Sequence, residues 1–189
     1  MPQSVFQMVM SRIGRVLNDA GLPYMVIGGQ AVIHHGEPRA TRDIDLTLQI
    51  SPSEADRVVD LLDACGLSAA VPEPADFVRR THILPCQARA MPVRVDFAFT
   101  DSHYETQAIA RGEDVDVDGV PVRFATVEDL LIHKLLAWRP VDQQDVHGVL
   151  LKNPDADIDY VRRWARAFEA EVKMDVTGRL DQALRDASA

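Results

Sequence analysis

The sequence predicts an α+β fold: a mixed β-sheet flanked by helices, followed by a C-terminal helical segment. Three observations carry this. The first sixty-odd residues alternate helical and strand-like patterns. Residues from about 82 to 124 read as successive hairpins. From Thr126 onward the apolar positions recur at helical spacing. The boundary falls near residue 125, giving an α/β core over 1–125 and a helical region over 126–189 packed on it.

Val5 to Ala20 places Val5, Met8, Val9, Ile13, Val16 and Leu17 close to helical period, with Gly21 as the stop. Pro23 to Gly28 reads as a buried strand, and Gln30 to His35 as one or two helical turns. Asp43 to Ile50 is a second strand. Ser51-Pro52-Ser53-Glu54 opens a helix with a capping serine, a proline at the first position and a glutamate three residues on. That helix is expected to run to about Ala64 and to stop at Gly66. His82 to Ala88 and Val93 to Phe99 pair as a hairpin. Asp114 to Val117 and Val120 to Phe124 pair across Asp118-Gly119, a two-residue turn signal. Thr126 with Asp129 starts a helix through about Trp138; Pro140 breaks it, and another runs from about Asp142 to Leu151. Asp157 to Glu171 is one more amphipathic helix. Trp138 and Trp164 are expected in the core of the helical end.

The chain has 189 residues, 47% hydrophobic and 26% charged, which is ordinary for a water-soluble domain. No apolar run reaches the roughly 18 residues needed to span a membrane, and residues 1–10 lack a signal-peptide layout. A cytoplasmic location is expected. Cys65 and Cys86 have neither CxxC spacing nor a histidine at metal spacing, so they read as reduced thiols. The net charge of −9 argues against a protein that coats nucleic acid by bulk electrostatics, but not against one holding a single RNA end in a local groove.

The chemistry is concentrated in Val26-Ile27-Gly28-Gly29 and, about a dozen residues later, Thr41-Arg42-Asp43-Ile44-Asp45-Leu46. Two glycines after a strand let the backbone turn tightly enough for its N–H groups to face a phosphate. Neither a dinucleotide fingerprint nor a P-loop is completed, since the third glycine and the Gly-Lys-Ser/Thr are missing. Aspartates at i and i+2 of a strand point to one face, where they repel unless a cation lies between them. Aspartate is disfavoured in strands, and such local conflicts concentrate at functional sites. Asp96, within Val93-Arg94-Val95-Asp96-Phe97, is a third carboxylate in an apolar strand. Adjacent strands would bring all three together, the arrangement used by magnesium-dependent transfer from a nucleoside triphosphate. Asp114-x-Asp116-x-Asp118-Gly119 mimics a calcium loop but has Ala125 at the twelfth position, so it is a hairpin. His34 and His35 are adjacent on a helix and are expected not to face one ion together; no metal is assigned to them or to His133.

This pattern resembles the DNA polymerase beta-like nucleotidyltransferase superfamily, and within it the small bacterial nucleotidyltransferases that include abortive-infection (AbiEii-type) toxins. The resemblance spans roughly residues 22 to 150 and implies a polymerase beta-like palm. It also implies that Asp43, Asp45 and Asp96 are catalytic and bind one or two Mg²⁺ ions, with Mn²⁺ as a substitute. Gly28 and Gly29 would meet nucleotide phosphates, and Arg42 is placed with the nucleotide-binding residues. The Lys134–Leu135 pair followed by Asp142 and Asp145 resembles a segment of the toxin-like members, in which Lys134 would reach the triphosphate. Val141 stands where many relatives carry a lysine, so Asp142 and Asp145 receive no role. The implied partners are an NTP, a hydroxyl acceptor and a cognate antitoxin. The acceptor is tRNA or another RNA, with a small antibiotic-type molecule or a protein as the alternative, and a regulatory module that binds nucleotide without turnover is the alternative of another class.

Overall fold

The computed structural model describes residues 4–188 and divides them into two compact units. The first comprises the residues up to Gln30 together with Thr41–Ala125; the second comprises Ala31–Ala40 and the residues from Thr126 on. In chain order the elements are α1 (Val5–Asp19), β1 (Tyr24–Ile27), α2 (Gly28–His35), β2 (Asp43–Gln49), α3 (Ala55–Val59), α4 (Leu62–Cys65), β3 (Leu67–Ala69) and α5 (Pro74–Thr81). Then come β4 (Ile83–Ala88), β5 (Arg94–Thr100), α6 (His103–Arg111), β6 (Glu113–Val117), β7 (Val120–Phe124), α7 (Val127–Ala137), α8 (Pro140–Lys152), α9 (Ile158–Val172) and α10 (Val176–Ala187).

The first unit is built on a seven-stranded sheet in the order β3-β4-β5-β2-β1-β7-β6. It is mixed, with β2–β5 and β1–β7 parallel and the other neighbours antiparallel. Register decides which side chains share a face. Val26 lies opposite Leu46, Leu46 beside Phe97, and Tyr24 opposite Leu48, which lies beside Phe99. These residues are buried and form the core face of the sheet. Helix α1 packs there through Val9, Met10, Ile13 and Leu17, and its start is fixed by reciprocal bonds between Ser4 and Gln7. Gly14 sets the approach: a Cβ there would lie 2.9 Å from both the Tyr24 hydroxyl and Val122 Cγ2. Alternation then sends Asp43, Asp45 and Asp96 to the opposite face.

The β6–β7 hairpin turns through Asp118 (φ 54°) and Gly119 (φ 75°), the two left-handed positions of a primed turn. The helix expected from Ser51 to Ala64 is instead three pieces. A 3₁₀ turn over Pro52–Glu54 leads into α3, and the chain tightens again at Leu61, whose N–H bonds to Val58 O three residues back. Helix α4 then ends at Gly66, left-handed at φ 72°. The sequence reading leaves out α5, α6, α10 and the three-residue β3.

The second unit is helical. Thr126 caps α7 by accepting from Asp129 N–H, and Pro140 stands at the first position of α8, where it starts a helix. Asp157 and Asp175 cap α9 and α10. Within this unit Asn153 donates to His35 O and Val149 O, tying the end of α2 to α8. Trp138 and Trp164 are half-buried and not in the core as expected; Trp138 sits at the left-handed C-cap of α7, and the Arg179 guanidinium lies 5.8 Å from its ring centroid. Among the described residues no helix is long and apolar enough to cross a membrane. Both cysteines are free and buried, and burial pushes the thiols up to about 11 for Cys65 and about 12 for Cys86, which leaves them unreactive.

Candidate active site

Strand β2 carries Asp43 and Asp45 on one face, about 6.6 Å apart along the strand by the rise per residue. Its parallel neighbour β5 places Asp96 beside Asp45 and Arg94 beside Asp43, with strand axes about 4.8 Å apart. On its other side, antiparallel β1 sets Ile27, the last residue before Gly28, against Asp45. The sheet thus brings Gly28 and all three aspartates to one spot, because hydrogen-bond register across β1, β2 and β5 leaves them nowhere else to go. Pairing of these strands could not be read from the sequence, but the i, i+2 spacing could.

Gly28 turns the chain out of β1 at φ 62° and is the first residue of α2. A Cβ built on it would lie 2.0 Å from Asp45 Oδ2 and 2.8 Å from its Cγ, so the backbone and the carboxylate are in direct contact. The start of α2 thus lies against a carboxylate, and a helix start, with its unpaired N–H groups and the positive end of its dipole, suits an anion such as a phosphate. Gln30, on the same turn and buried, has an amide nitrogen with no hydrogen-bond partner among the described residues.

Asp96 is the most constrained of the three carboxylates. Its Oδ1 is buried with no hydrogen-bond partner among the described residues, while Oδ2 lies 3.4 Å from Arg94 Nη2. A buried carboxylate oxygen left unsatisfied is costly, and a cation between the aspartates would satisfy it. The donor set suits a hard divalent ion, which prefers carboxylate oxygens. Burial holds the Asp96 carboxyl above its usual range; Arg94 pulls it back and Asp43 pushes it further up. A raised folded value means that ionisation opposes folding. In metal-free buffer the Asp96 contribution to stability therefore rises as pH falls from the folded value toward the ordinary carboxylate range. Asp96→Asn is expected to be more stable than wild type at neutral pH. The gain shrinks as the pH is lowered, as measured by urea melts across pH in the presence of a chelator.

The second unit holds a separate charge network. Lys134, on α7 and only 5% exposed, has its Nζ 2.9 Å from Asp142 Oδ1 and 2.8 Å from Asp145 Oδ2. Arg39 grips Asp145 with two bonds, Nε to Oδ1 at 2.7 Å and Nη2 to Oδ2 at 3.0 Å. Arg139 does the same to Asp142 at 2.7 and 3.1 Å, and its backbone N–H adds a third bond at 3.0 Å. Burial would raise the Asp142 carboxyl, but the bonds from Arg139 and Lys134 outweigh it and hold the group below its usual range. Three cations thus surround two buried anions, and the i, i+3 spacing of Asp142 and Asp145 on α8 presents both carboxylates to one lysine.

A family model described as "Nucleotidyltransferase of unknown function (DUF6036)" matches residues 5–180, a span that includes both constellations. The chain belongs to this family. No curated protein matches the DUF6036 chain in sequence. Its fold is nevertheless shared with solved nucleotidyltransferases. The antibiotic-resistance factor ANT(2″)-Ia superposes with a TM-score of 0.59 at 15% identity, covering 87% of this chain and 91% of that one. An antigenic nucleotidyltransferase-like protein from Paracoccidioides brasiliensis gives 0.58 at 16%, over 96% and 95%. The lincosamide antibiotic adenylyltransferase LnuA, solved with lincomycin bound, gives 0.52 at 13%, over 78% and 96%. The α+β nucleotidyltransferase fold and the enzyme class expected from the sequence are those found.

Of the residues singled out in this DUF6036 nucleotidyltransferase, Gly28, Asp43, Asp45 and Asp96 converge within the first unit, and Gly29 follows on the first turn of α2. Arg42 is exposed just before β2. Lys134 lies in the second unit, between its two carboxylates. The rings of His34 and His35 stand edge to face with centroids 4.5 Å apart, closer than their adjacency on a helix suggests. Sequence reasoning gave no role to Arg94, Arg39 or Arg139. The signal for Arg94 was present, since it stands two residues before Asp96 in a strand.

Proposed function

We propose that this nucleotidyltransferase transfers a nucleoside monophosphate from an NTP to a hydroxyl of RNA, tRNA foremost, and releases pyrophosphate. The observation that carries the chemistry is the convergence of Asp43, Asp45 and Asp96 beside the Gly28 turn. These carboxylates would hold Mg²⁺, which when bound neutralises triphosphate charge and acidifies the attacking hydroxyl. Gly28 and Gly29 offer N–H groups to phosphate oxygens, and exposed Arg42 adds charge beside them. Asp96, whose proton affinity burial raises, takes the hydroxyl proton as the oxygen attacks the α-phosphorus and the bond from the α-phosphorus to the leaving pyrophosphate breaks. The resemblance assigns Lys134 to the nucleotide as well; within its own unit it holds Asp142 and Asp145.

The RNA acceptor, and a cognate antitoxin that restrains the enzyme, rest on the likeness of the Lys134 to Asp145 segment to toxin-like members. A second reading, a small cationic hydroxylated acceptor, draws on the net charge of −9, which favours cations over RNA. Incubation with labelled NTPs, Mg²⁺ and either total tRNA or a panel of aminoglycosides and lincosamides separates the two. Label in tRNA alone supports the first reading; label in the small molecules alone replaces it. Asp45→Ala and Asp96→Ala are expected to abolish labelling while remaining folded by circular dichroism, and undiminished labelling in either rejects the triad. Calorimetry with Mg²⁺-ATP and Mg²⁺-CTP distinguishes an enzyme from a module that binds without turnover.

A further inference from the structure

Arg94 opens β5 two residues before Asp96 and lies beside Asp43 in the parallel register, so it stands on the carboxylate face. Its Nε is 3.9 Å from Asp43 Oδ1 and its Nη2 is 3.4 Å from Asp96 Oδ2. Yet 62% of the side chain is exposed, and both contacts are loose for a guanidinium, which elsewhere in this protein grips Asp145 at 2.7 and 3.0 Å. One tethered cation thus touches two of three clustered anions without being locked to either.

We propose that Arg94 is the resident counter-ion of the aspartate cluster: it neutralises Asp43 and Asp96 before a metal arrives and is displaced when one binds. This rests on the reading of the triad as a metal site and adds to it a rule for loading. A free divalent ion must displace the guanidinium with nothing to offer it in return. A metal arriving on a triphosphate brings anionic oxygens to which the displaced guanidinium can turn, a planar fork suited to phosphate. The site therefore favours metal delivered with nucleotide over metal alone. Solvent-screened contacts at this exposure compete weakly, so the effect is about three- to ten-fold in affinity and not orders of magnitude. Arg94→Ala would remove the guanidinium from Asp43 and Asp96, and these two carboxylates would then depend more on metal for their neutrality.

The test is Mn²⁺ titration calorimetry on metal-free protein, comparing wild type with Arg94→Ala and Arg94→Lys, with and without a non-hydrolysable NTP. Arg94→Ala is expected to bind Mn²⁺ alone about five-fold more tightly than wild type, with Arg94→Lys between them. High salt narrows the gap, and nucleotide abolishes or reverses it. In chelator Arg94→Ala melts below wild type, and Mn²⁺ raises its melting temperature by more. Metal affinity that is unchanged or weakened in Arg94→Ala overturns the proposal and leaves the metal site standing. A wild type that takes up no Mn²⁺, with or without nucleotide, overturns both. Should Arg94→Ala fail to fold, Arg94→Lys and Arg94→Gln carry the same comparison, and equal affinity across them and wild type overturns it.

Discussion

Gly28→Ala is expected to cut nucleotidyl transfer by about a hundred-fold or more, the cost of misplacing a reacting group by about an ångström. Two effects act at once. The added Cβ must adopt φ 62°, where side chains are strained by roughly 1–2 kcal/mol. It must also occupy space 2.0 Å from Asp45 Oδ2. The obstructing atom belongs to the proposed site, so relief comes only by rotating the carboxylate away or by moving the turn. Gly21→Ala separates the two contributions. Gly21 has the same φ of 62° with nothing within 4 Å of its Cβ position, so that variant bears the strain alone. Steady-state rates are expected to collapse in Gly28→Ala and to persist in Gly21→Ala. Equal rates in the two would mean that the Asp45 position does not matter to turnover.

Lys134→Met is expected to have the largest effect on stability. It leaves Asp142, fully buried, and Asp145, 4% exposed, without their shared ammonium. Removing one partner from a buried ion pair costs about 3–5 kcal/mol. Arg139 and Arg39 still grip the two aspartates, which places the loss toward the lower end of that range. The Asp142 carboxyl is held below its usual range, so its stabilisation is complete above the ordinary carboxylate value and is lost as pH falls toward the folded one. Lys134→Met should therefore lose acid-sensitive stability, and urea melts at neutral and acidic pH should converge on wild type as pH falls. A variant that keeps its stability while KM for the NTP rises would mean that the nucleotide, and not the network, is what Lys134 mainly serves.

The Asp43-x-Asp45 pair was readable because strand alternation is a strict rule and aspartate in an apolar strand breaks local preference. Its meeting with Asp96 was readable only as a condition on which strands pair. Arg94 obeys the same i, i+2 rule and was missed because an arginine at a strand end fits surface exposure equally well. Arg39 meets Asp145 across 106 positions, a distance no periodicity spans. Among the elements, α10 was hidden by Gly178 inside its helical pattern, and β3 is too short to show alternation. The break at Leu61 depends on the chain tightening between two helices whose apolar positions remain in phase.

The register of β2 against β5 also bears on how such a chain can change over generations. Inserting or deleting one residue within either strand can preserve the backbone ladder, but it exchanges Asp45 with Ile44 or Leu46. A carboxylate would then be driven into the buried face of the sheet, among residues such as Leu48 and Phe97, and an aliphatic side chain left at the site. Single-residue length variation is therefore forbidden inside these strands and tolerated in the turns between them. Lineages of this fold should differ freely in loop length while keeping β2 and β5 in step to the residue.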